Sequence, residues 1–169
     1  MSADTFTTAI FLITAVIAAG VLISAIFPVV YQMAGTFSSA GHASDQQIRT
    51  NIQIVLDVAN QSQPQYVRVW IKNTGSVRIP VADIQRSDVF CGDAGNFNRM
   101  SLVTTGSPGN GQWTYVLTNP TTSNSWNPGD TLEVDAYTTT IIPSDPVYFQ
   151  FVLPNGISTS DQFTVSTTP

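Results

Sequence analysis

The chain begins with a long run of apolar residues. Between Thr5 and Ser44 no side chain carries a formal charge if histidine is neutral, and the most apolar stretch runs from Ala9 to Tyr31. These 23 residues would rise roughly 35 Å as an α-helix, and about 20 apolar residues suffice to cross the hydrocarbon core of a bilayer. Pro28 lies near the end of the stretch, where a kink is tolerated. We therefore predict one long N-terminal apolar transmembrane α-helix.

A cleaved secretory signal is the alternative interpretation of this segment. Such signals carry basic residues before a shorter apolar stretch and a small-residue cleavage site soon after it. No Lys or Arg precedes Arg49, and the best Ala-x-Ala-like candidate, at 41–43, lies far downstream. We therefore expect a retained helix that ends in a polar connector, with one domain over 1–44 and a second, extracytoplasmic domain over 45–169.

Two pairs of small residues lie inside the apolar run. Ala15 and Ala19 form one pair, and Gly20 and Ser24 form the other, each four residues apart. Such small-xxx-small pairs allow transmembrane helices to approach closely. We predict helix packing at these four positions, although pairs of this kind also arise by chance in any alanine-rich span.

From Arg49 onward the apolar positions recur with a period of two, which is typical of half-buried β-strands. In the first strand this alternation predicts one apolar face made of Ile52, Ile54, Leu56 and Val58. The opposite face would then hold Asn51, Gln53, Val55 and Asp57.

Further short strands follow, separated by turns rich in Gly, Asn and Pro. They include predicted strands at 76–79, 84–90 and 162–166, and a loop at 92–98. No helical period is visible after Ser44. About seven to nine short strands in some 120 residues predict an all-β, immunoglobulin-like antiparallel β-sandwich after the helix.

The composition excludes several classes of function. Charged residues make up only 10% of the chain, the net charge is −5, and six Lys and Arg residues are too few for a nucleic-acid-binding surface. One cysteine and one histidine exclude a disulfide framework and a zinc site built from these residues. No phosphate-binding, dinucleotide-binding or hydrolase motif occurs. We therefore predict no enzyme activity, catalytic residue, cofactor, metal or small-molecule substrate.

Three weaker alternatives stay open. The carboxylates of Asp83, Asp88 and Asp93 could supply oxygen ligands to a calcium ion, or could simply be solvated. Asn60 begins an Asn-x-Ser sequon, which predicts a possible glycosylation site on an exported domain. The single thiol, Cys91, is expected to be a small buried side chain.

Aromatic side chains are numerous for a domain of this size. Most should be core residues, but some are expected to form a partner-binding face, because exposed aromatic residues anchor interfaces. The candidates are Trp70, Trp113, Trp126, Tyr66, Tyr115, Tyr137 and Tyr148.

Five segments in a fixed order carry a family resemblance. They are SDQQIRTNIQIV (44–55), VRVWIKNTGS (67–76), SDVFCG (87–92), W-x-PGDTLEV (126–134) and VLPNGI (152–157). Together with the apolar helix and connector they resemble the archaellum accessory protein G family (FlaG, also ArlG), which is related to archaellins and archaeal type IV pilin-like proteins. The matching motif residues are Lys72, Asn73, Gly75, Asp88, Phe90, Trp126 and Gly129.

This resemblance implies a structural component of the archaellum motor. Family members are single-pass membrane proteins whose sandwich lies in the pseudoperiplasm, where they act as stator-like parts with accessory protein F, which engages the S-layer. It also implies self-association into a homo-oligomer. The segment MSADTFTTAIF lacks the basic residues and glycine of an archaellin leader, so we expect no leader processing. An archaellin or pilin-like filament subunit, and a membrane-anchored binding module of unrelated role, remain alternatives.

Overall fold

The computed structural model describes residues 2–60, 66–118, 124–139 and 146–165. Their order is one long helix, then short strands with one further short helix. The chain divides into two compact units, 1–45 and 46–169. This arrangement confirms the predicted all-β fold with an N-terminal apolar helix.

Helix α1 runs from Ser2 to Arg49 and includes Pro28. It is long and apolar enough to cross a membrane. Hydroxyl groups along it bond back to the helix itself, as Ser24 Oγ does to the carbonyl oxygen of Gly20 at 2.9 Å. α1 continues through the predicted polar connector before residue 45. Small residues there fit a helix, and Ser39 Oγ donates to the carbonyl oxygen of Gly35 at 3.0 Å.

The second unit contains ten strands and one short helix in its described part. They are β1 (Ile52–Asn60), β2 (Tyr66–Asn73), β3 (Ile79–Pro80), α2 (Val81–Gln85), β4 (Asp88–Asp93), β5 (Asn96–Leu102), β6 (Gln112–Leu117), β7 (Ser125–Trp126), β8 (Thr131–Tyr137), β9 (Val147–Val152) and β10 (Ser158–Phe163). The count exceeds the predicted seven to nine because β3 and β7 are only two residues long.

Eight strands form one curved sheet in the order β1-β2-β8-β6-β5-β4-β9-β10, and β3 pairs with β7. Neighbouring strands are antiparallel except β5 and β6, which are parallel over two residue pairs. Strands β1 and β10, at opposite ends of this order, come close together. The sheet therefore folds over on itself as a sandwich, and its inner faces enclose the core.

Large aromatic side chains occupy the centre of the core. Trp113, Trp126, Phe149 and Phe151 are at most 1% exposed. The ring of Phe151 meets both indoles edge to face, at 6.1 Å from Trp113 and 6.4 Å from Trp126. Such pairs add about 0.5–1.5 kcal/mol beyond the burial of their apolar area.

The predicted faces of β1 are wrong beyond Val55. The register of β1 against β2 shifts between Ile54 and Leu56, which marks a β-bulge. A bulge adds one residue to a strand and reverses the sides on which later side chains point. Leu56 and Val58 are therefore 53% and 45% exposed, whereas Asp57 turns toward the seam between β1 and β10.

Three local predictions are also wrong. Residues 81–85 form α2, since Pro80 lies immediately before it and suits the start of a helix; the strand predicted at 84–90 begins only at Asp88. The predicted loop at 92–98 is mostly the β4–β5 hairpin, with a turn at Ala94 and Gly95. The last strand was predicted at 162–166, but β10 begins at Ser158 and ends at Phe163.

We predict that Asp57→Asn stabilises the domain at neutral pH. Burial, and then the negative charge of Asp161, raise the pKa of Asp57. Because the folded pKa exceeds the unfolded one, ionisation of Asp57 opposes folding as pH rises above the unfolded pKa. Thermal unfolding at pH 7 should therefore occur at a higher temperature in the variant, and this difference should shrink as the pH falls toward 3.

Asp161→Asn is the matched control, since it removes the second cause of the raised pKa. It should give a smaller change in the same direction. A lower unfolding temperature for Asp57→Asn at pH 7 would contradict the interpretation of the seam.

Candidate interaction surfaces

Asn73 connects two of the motif segments at one buried point. Its side chain is fully buried at the end of β2. The amide donates to the carbonyl oxygens of Val77 at 3.0 Å and Trp126 at 3.2 Å, and Oδ1 accepts the backbone N–H of Gly75 at 3.1 Å. One side chain therefore fixes the turn after β2 against the strand β7.

Gly75 brings a third segment to this point. Its N–H donates to the carbonyl oxygen of Asn51 at 2.9 Å, and the N–H of Ser76 donates to that of Arg49 at 2.9 Å. A Cβ atom on residue 75 would lie 2.5 Å from the carbonyl oxygen of Arg49 and 2.5 Å from the backbone nitrogen of Asn51. Only glycine fits this contact, so the turn holds the segment that leads into β1.

The turn between β7 and β8 completes the cluster. Gly129 has φ +87°, a conformation that favours glycine, and its N–H donates to the carbonyl oxygen of Asn73 at 2.8 Å. Trp126 Nε1 donates to the carbonyl oxygen of Asp130 at 2.9 Å. Asn73, Gly75, Trp126 and Gly129 thus form one structural unit, which we name the junction, whereas Lys72 beside it is exposed.

The motif residues Asp88 and Phe90 lie on β4, which belongs to the other half of the sandwich. Asp88 forms an ion pair with Arg99 at 2.6 Å. The ring of Phe97 lies 6.4 Å from that of Phe90 and 4.5 Å from that of Tyr148. This aromatic patch is partly exposed, since Phe97 is 43% accessible.

A larger polar and aromatic surface covers the outside of the four neighbouring strands β1, β2, β8 and β6. We name it the outer face. Four rows of side chains cross it in register. The first row is Tyr66, Tyr137 and Gln112, and the second is Val58, Arg68, Asp135 and Thr114. The third row is Leu56, Trp70, Glu133 and Val116, and the last is Gln53, Lys72 and Thr131.

Arg68 is at the centre of the outer face. Its Nε and Nη2 donate to the two carboxylate oxygens of Asp135 at 2.6 and 2.8 Å, and Glu133 Oε1 is 3.1 Å from Nε. The guanidinium carbon lies 5.3 Å from the ring centre of Tyr66 and 5.9 Å from that of Trp70. The hydrogen bond to Asp135 is the main cause that raises the pKa of Arg68.

These contacts hold the polar groups of the outer face in fixed positions. Trp70 Nε1 donates to Glu133 Oε2 at 3.0 Å, and the rings of Tyr66 and Tyr137 lie 5.8 Å apart. Burial is the main cause that raises the pKa of Tyr137. Ordered Tyr, Trp and Arg side chains are the types that dominate binding energy at protein interfaces.

The aromatic candidates from the sequence thus divide between core and surface. Trp113 and Trp126 are buried, whereas Tyr66, Trp70 and Tyr137 lie on the outer face. Three exposed aliphatic residues flank them, which the sequence pattern did not identify as part of a surface: Leu56, Val58 and Val116. The consecutive apolar pair 55–56 is the one sign of the bulge that the sequence offered.

The structure does not bring the calcium candidates together. Asp83 forms an ion pair with Arg86, and Asp93 is buried. Within the described ranges, no three His, Cys, Asp or Glu side chains lie close enough to hold a metal ion. Cys91 is buried, and this burial is the main cause that raises the pKa of its thiol to about 12.

The small-residue pairs of α1 are exposed in the single chain. At 100° per residue, Ala15–Ala19 and Gly20–Ser24 lie on nearly opposite sides of the helix, so the two pairs would serve different contacts. Asn60 is the last residue of β1, and the rest of its sequon lies outside the described residues. Helix packing and glycosylation stay predictions.

One groove of about 350 Å³ lies beside the junction. Its charged lining residues are Arg78 and Asp83, and the remainder is uncharged: Gln46, Thr50, Val77, Ile79, Pro80, Leu153, Pro154 and Asn155.

We predict that Gly75→Ala destabilises the second unit. The new Cβ atom would overlap backbone atoms of two residues, and overpacking of this kind costs about 1–3 kcal/mol. The midpoint of denaturant unfolding, followed by tryptophan fluorescence, should fall accordingly. Gly109→Ala is the matched control, because its nearest contact, Gln112 Oε1, is at an ordinary 3.5 Å. Equal midpoints for the two variants would contradict the close approach.

Comparisons with known proteins identify the family. The family model for archaeal-type flagellin matches residues 2–163. An uncharacterized protein from Archaeoglobus fulgidus is 27% identical over 166 residues, which cover 96% of this chain and 99% of the relative.

Solved structures show the same relationship. The archaellum periplasmic stator protein FlaG from Sulfolobus acidocaldarius is 28% identical, with a TM-score of 0.52 over 68% of this chain and 99% of that one. The FlaF and FlaG stator complex from the same organism contains a chain that is 26% identical, with a TM-score of 0.51 over 66% of this chain and 87% of that one.

The archaeal flagellum of Methanospirillum hungatei shares the fold at 15% identity, with a TM-score of 0.55 over 92% of this chain and 93% of that one. The chain therefore belongs to the archaeal-type flagellin family, within which it is similar to FlaG.

Proposed function

We propose that this protein is a non-enzymatic, stator-like component of the archaellum motor that supports swimming motility. The observation that carries the proposal is the 28% identity to the stator protein FlaG, which matches that chain over 99% of its length. A stationary part of a motor needs an anchor, a stable domain and contact surfaces rather than a catalytic centre. The helix, the sandwich and the outer face are candidates for these parts.

The anchor in this proposal is α1, as a single pass through the archaeal membrane. Its 48 residues include an apolar stretch with a mean hydropathy of 2.7. Side chains along it are exposed in the single chain, from Phe6 at 69% to Phe37 at 73%, so it lacks the cover that a soluble core helix has. The sandwich would lie outside the membrane, in the pseudoperiplasm.

The partners in this proposal are a second copy, accessory protein F and, through protein F, the S-layer. The FlaF and FlaG complex of the Sulfolobus relative supports protein F. Exposed aromatic side chains on both halves of the sandwich supply two candidate contact surfaces, the outer face and the patch around Phe97.

A filament subunit is the second candidate function. It is favoured by the flagellin family model and by the fold shared with the Methanospirillum flagellum, which extends over 92% of this chain. In such a filament the apolar helix would pack against other helices instead of lipid.

Intact mass and fractionation distinguish the two functions. We expect a chain of 18.2 kDa in native membranes and little of it in sheared filaments. Deletion of the gene should abolish motility. A shortened chain recovered as a main constituent of sheared filaments would overturn the stator proposal and support the filament subunit.

We further expect that charges in the middle of α1 abolish membrane retention. The double variant Ile17→Asp/Val21→Asp places two carboxylates in the apolar stretch, each costing about 2.5–3.5 kcal/mol at the bilayer centre. Membrane fractions and swimming assays should both show a loss. Ser38→Asp/His42→Asp is the matched control, with the same spacing outside that stretch, and should retain both properties. Retention of the first variant in membranes would count against the anchor.

A further inference from the structure

The C-terminal part of α1 carries a narrow stripe of apolar and small residues that begins where the apolar stretch ends. Six positions recur at alternating intervals of four and three residues, which is the a and d spacing of a coiled coil. They are Val30, Ala34, Phe37, Gly41, Ser44 and Ile48. At 100° per residue, the opposite side of the helix holds polar residues, among them Gln32, Ser39 and Gln46. We name residues 30–48 the stalk and these six positions its stripe.

The large side chains of the stripe are open to their surroundings in the single chain. The exposed fractions of Phe37 and Ile48 are 73% and 82%. A helix with one apolar face is stabilised when that face packs against another element. The stripe therefore indicates a contact that the single chain does not make.

Lipid does not reach most of the stripe. In the membrane anchor of the proposed function, on which this step rests, the apolar stretch ends at Tyr31. Because α1 continues as one helix to Arg49, Ile48 lies about 25 Å beyond Tyr31 along the helix axis. The headgroup region extends only about 5–8 Å past the hydrocarbon core. Even at a tilt of about 40°, Gly41 and Ile48 would lie above the headgroups, in water.

The order of side-chain sizes disfavours a second copy as the cover. Two copies anchored in one membrane enter it at the same depth and in the same direction, so each residue of the stripe would meet its own counterpart. Phe37 would face Phe37, and one turn later Gly41 would face Gly41. This arrangement crowds one layer and leaves a void in the next, whereas well-packed interfaces set large side chains against small ones.

We propose that the stalk binds a parallel helix of a different protein that is anchored in the same membrane. The partner helix continues past the headgroups and carries apolar residues with the same 3.5-residue period but the opposite order of sizes. It has a small residue opposite Phe37 and large apolar residues opposite Gly41 and Ser44. The contact would attach a stator-like chain to a neighbouring membrane component through its helix as well as through its folded domain.

Two glycines of the stalk provide matched variants. A Cβ atom at Gly41 or Gly35 meets nothing within 4 Å in the single chain, so the helix accepts leucine at either position. Gly41 belongs to the stripe, whereas Gly35 lies about 160° around the helix from Phe37. Gly41→Leu should occupy the space that the partner's large residue fills and weaken the complex by about tenfold or more. Gly35→Leu should leave the complex unchanged.

The direction of the Gly41→Leu effect also separates the partner from a second copy. In a self-paired stalk the leucine would fill the void between the two glycines and strengthen association. Equal amounts of each variant in membrane fractions verify that the chains are retained and stable.

Photochemical cross-linking in native membranes identifies the occupant. Phe37→Cys labelled with benzophenone maleimide should link to a different protein, and Ser39→Cys, which lies about 200° further around the helix, is its matched control. We expect about tenfold more adduct at Phe37, because only the stripe is in contact. Adding Gly41→Leu should reduce this adduct, and adding Gly35→Leu should not. The wild-type chain, whose Cys91 is buried, should take up little label.

Mass spectrometry of the linked peptide decides whether the adduct supports the proposal. Support requires a link in an apolar helix that adjoins a membrane span of the other protein and has the stated order of sizes. A link to a segment without these features, to lipid or to the same residue of a second copy would overturn the proposal. Equal adducts at Phe37 and Ser39, no protein adduct at Phe37, or more adduct with Gly41→Leu would also overturn it. Each of these outcomes leaves the proposed function intact.

One outcome concerns the proposed function itself. Links between two copies at positions shifted along the helix would overturn the stalk contact and indicate staggered subunits of a filament. Fractionation would then recover the chain in sheared filaments, which distinguishes failure of the proposed function from failure of the stalk contact alone.

Discussion

The contact of Gly75 with the backbone of Arg49 and Asn51 is a constraint on which much of the sandwich depends. At this point the chain must enter β1, turn out of β2 and turn into β8 within a space too small for one methyl group. Asn73 satisfies the polar groups that such crowding buries. Because β1, β2 and β8 are neighbours in the sheet, the junction sets their relative positions and therefore the alignment of the rows on the outer face.

The bulge in β1 determines which of its side chains lie on the outer face. Without an extra residue at Val55, Leu56 would point inward and Asp57 outward, as simple alternation predicts. The bulge instead adds two aliphatic side chains to a face that already carries Arg68 and its aromatic neighbours. The bulge also places the carboxylate of Asp57 close to that of Asp161 at the seam between β1 and β10. The outer face thus gains an apolar border while the seam gains an unfavourable charge.

Much of this fold could be predicted from periodicity, but the surfaces could not. The apolar run predicts α1, and alternation predicts most strands, because both patterns follow directly from which side chains are buried. Alternation continues unchanged through a bulge, so the exposed position of Leu56 is visible only once the register is known. Only the family resemblance indicated the junction residues. Periodicity could not, because the space around Gly75 is limited by segments more than 20 residues away in sequence.

If α1 anchors the chain, the geometry of β1 has a mechanical consequence. Eight of the nine residues of this strand pair with β2, and their hydrogen bonds lie perpendicular to the strand. A pull on the chain along the strand direction loads these bonds together in shear, whereas a pull across the strand would break them one at a time. The bonds from Gly75 and Ser76 hold the first residues at the point where such a pull would enter. The domain would therefore resist tension best along the direction in which β1 is drawn out.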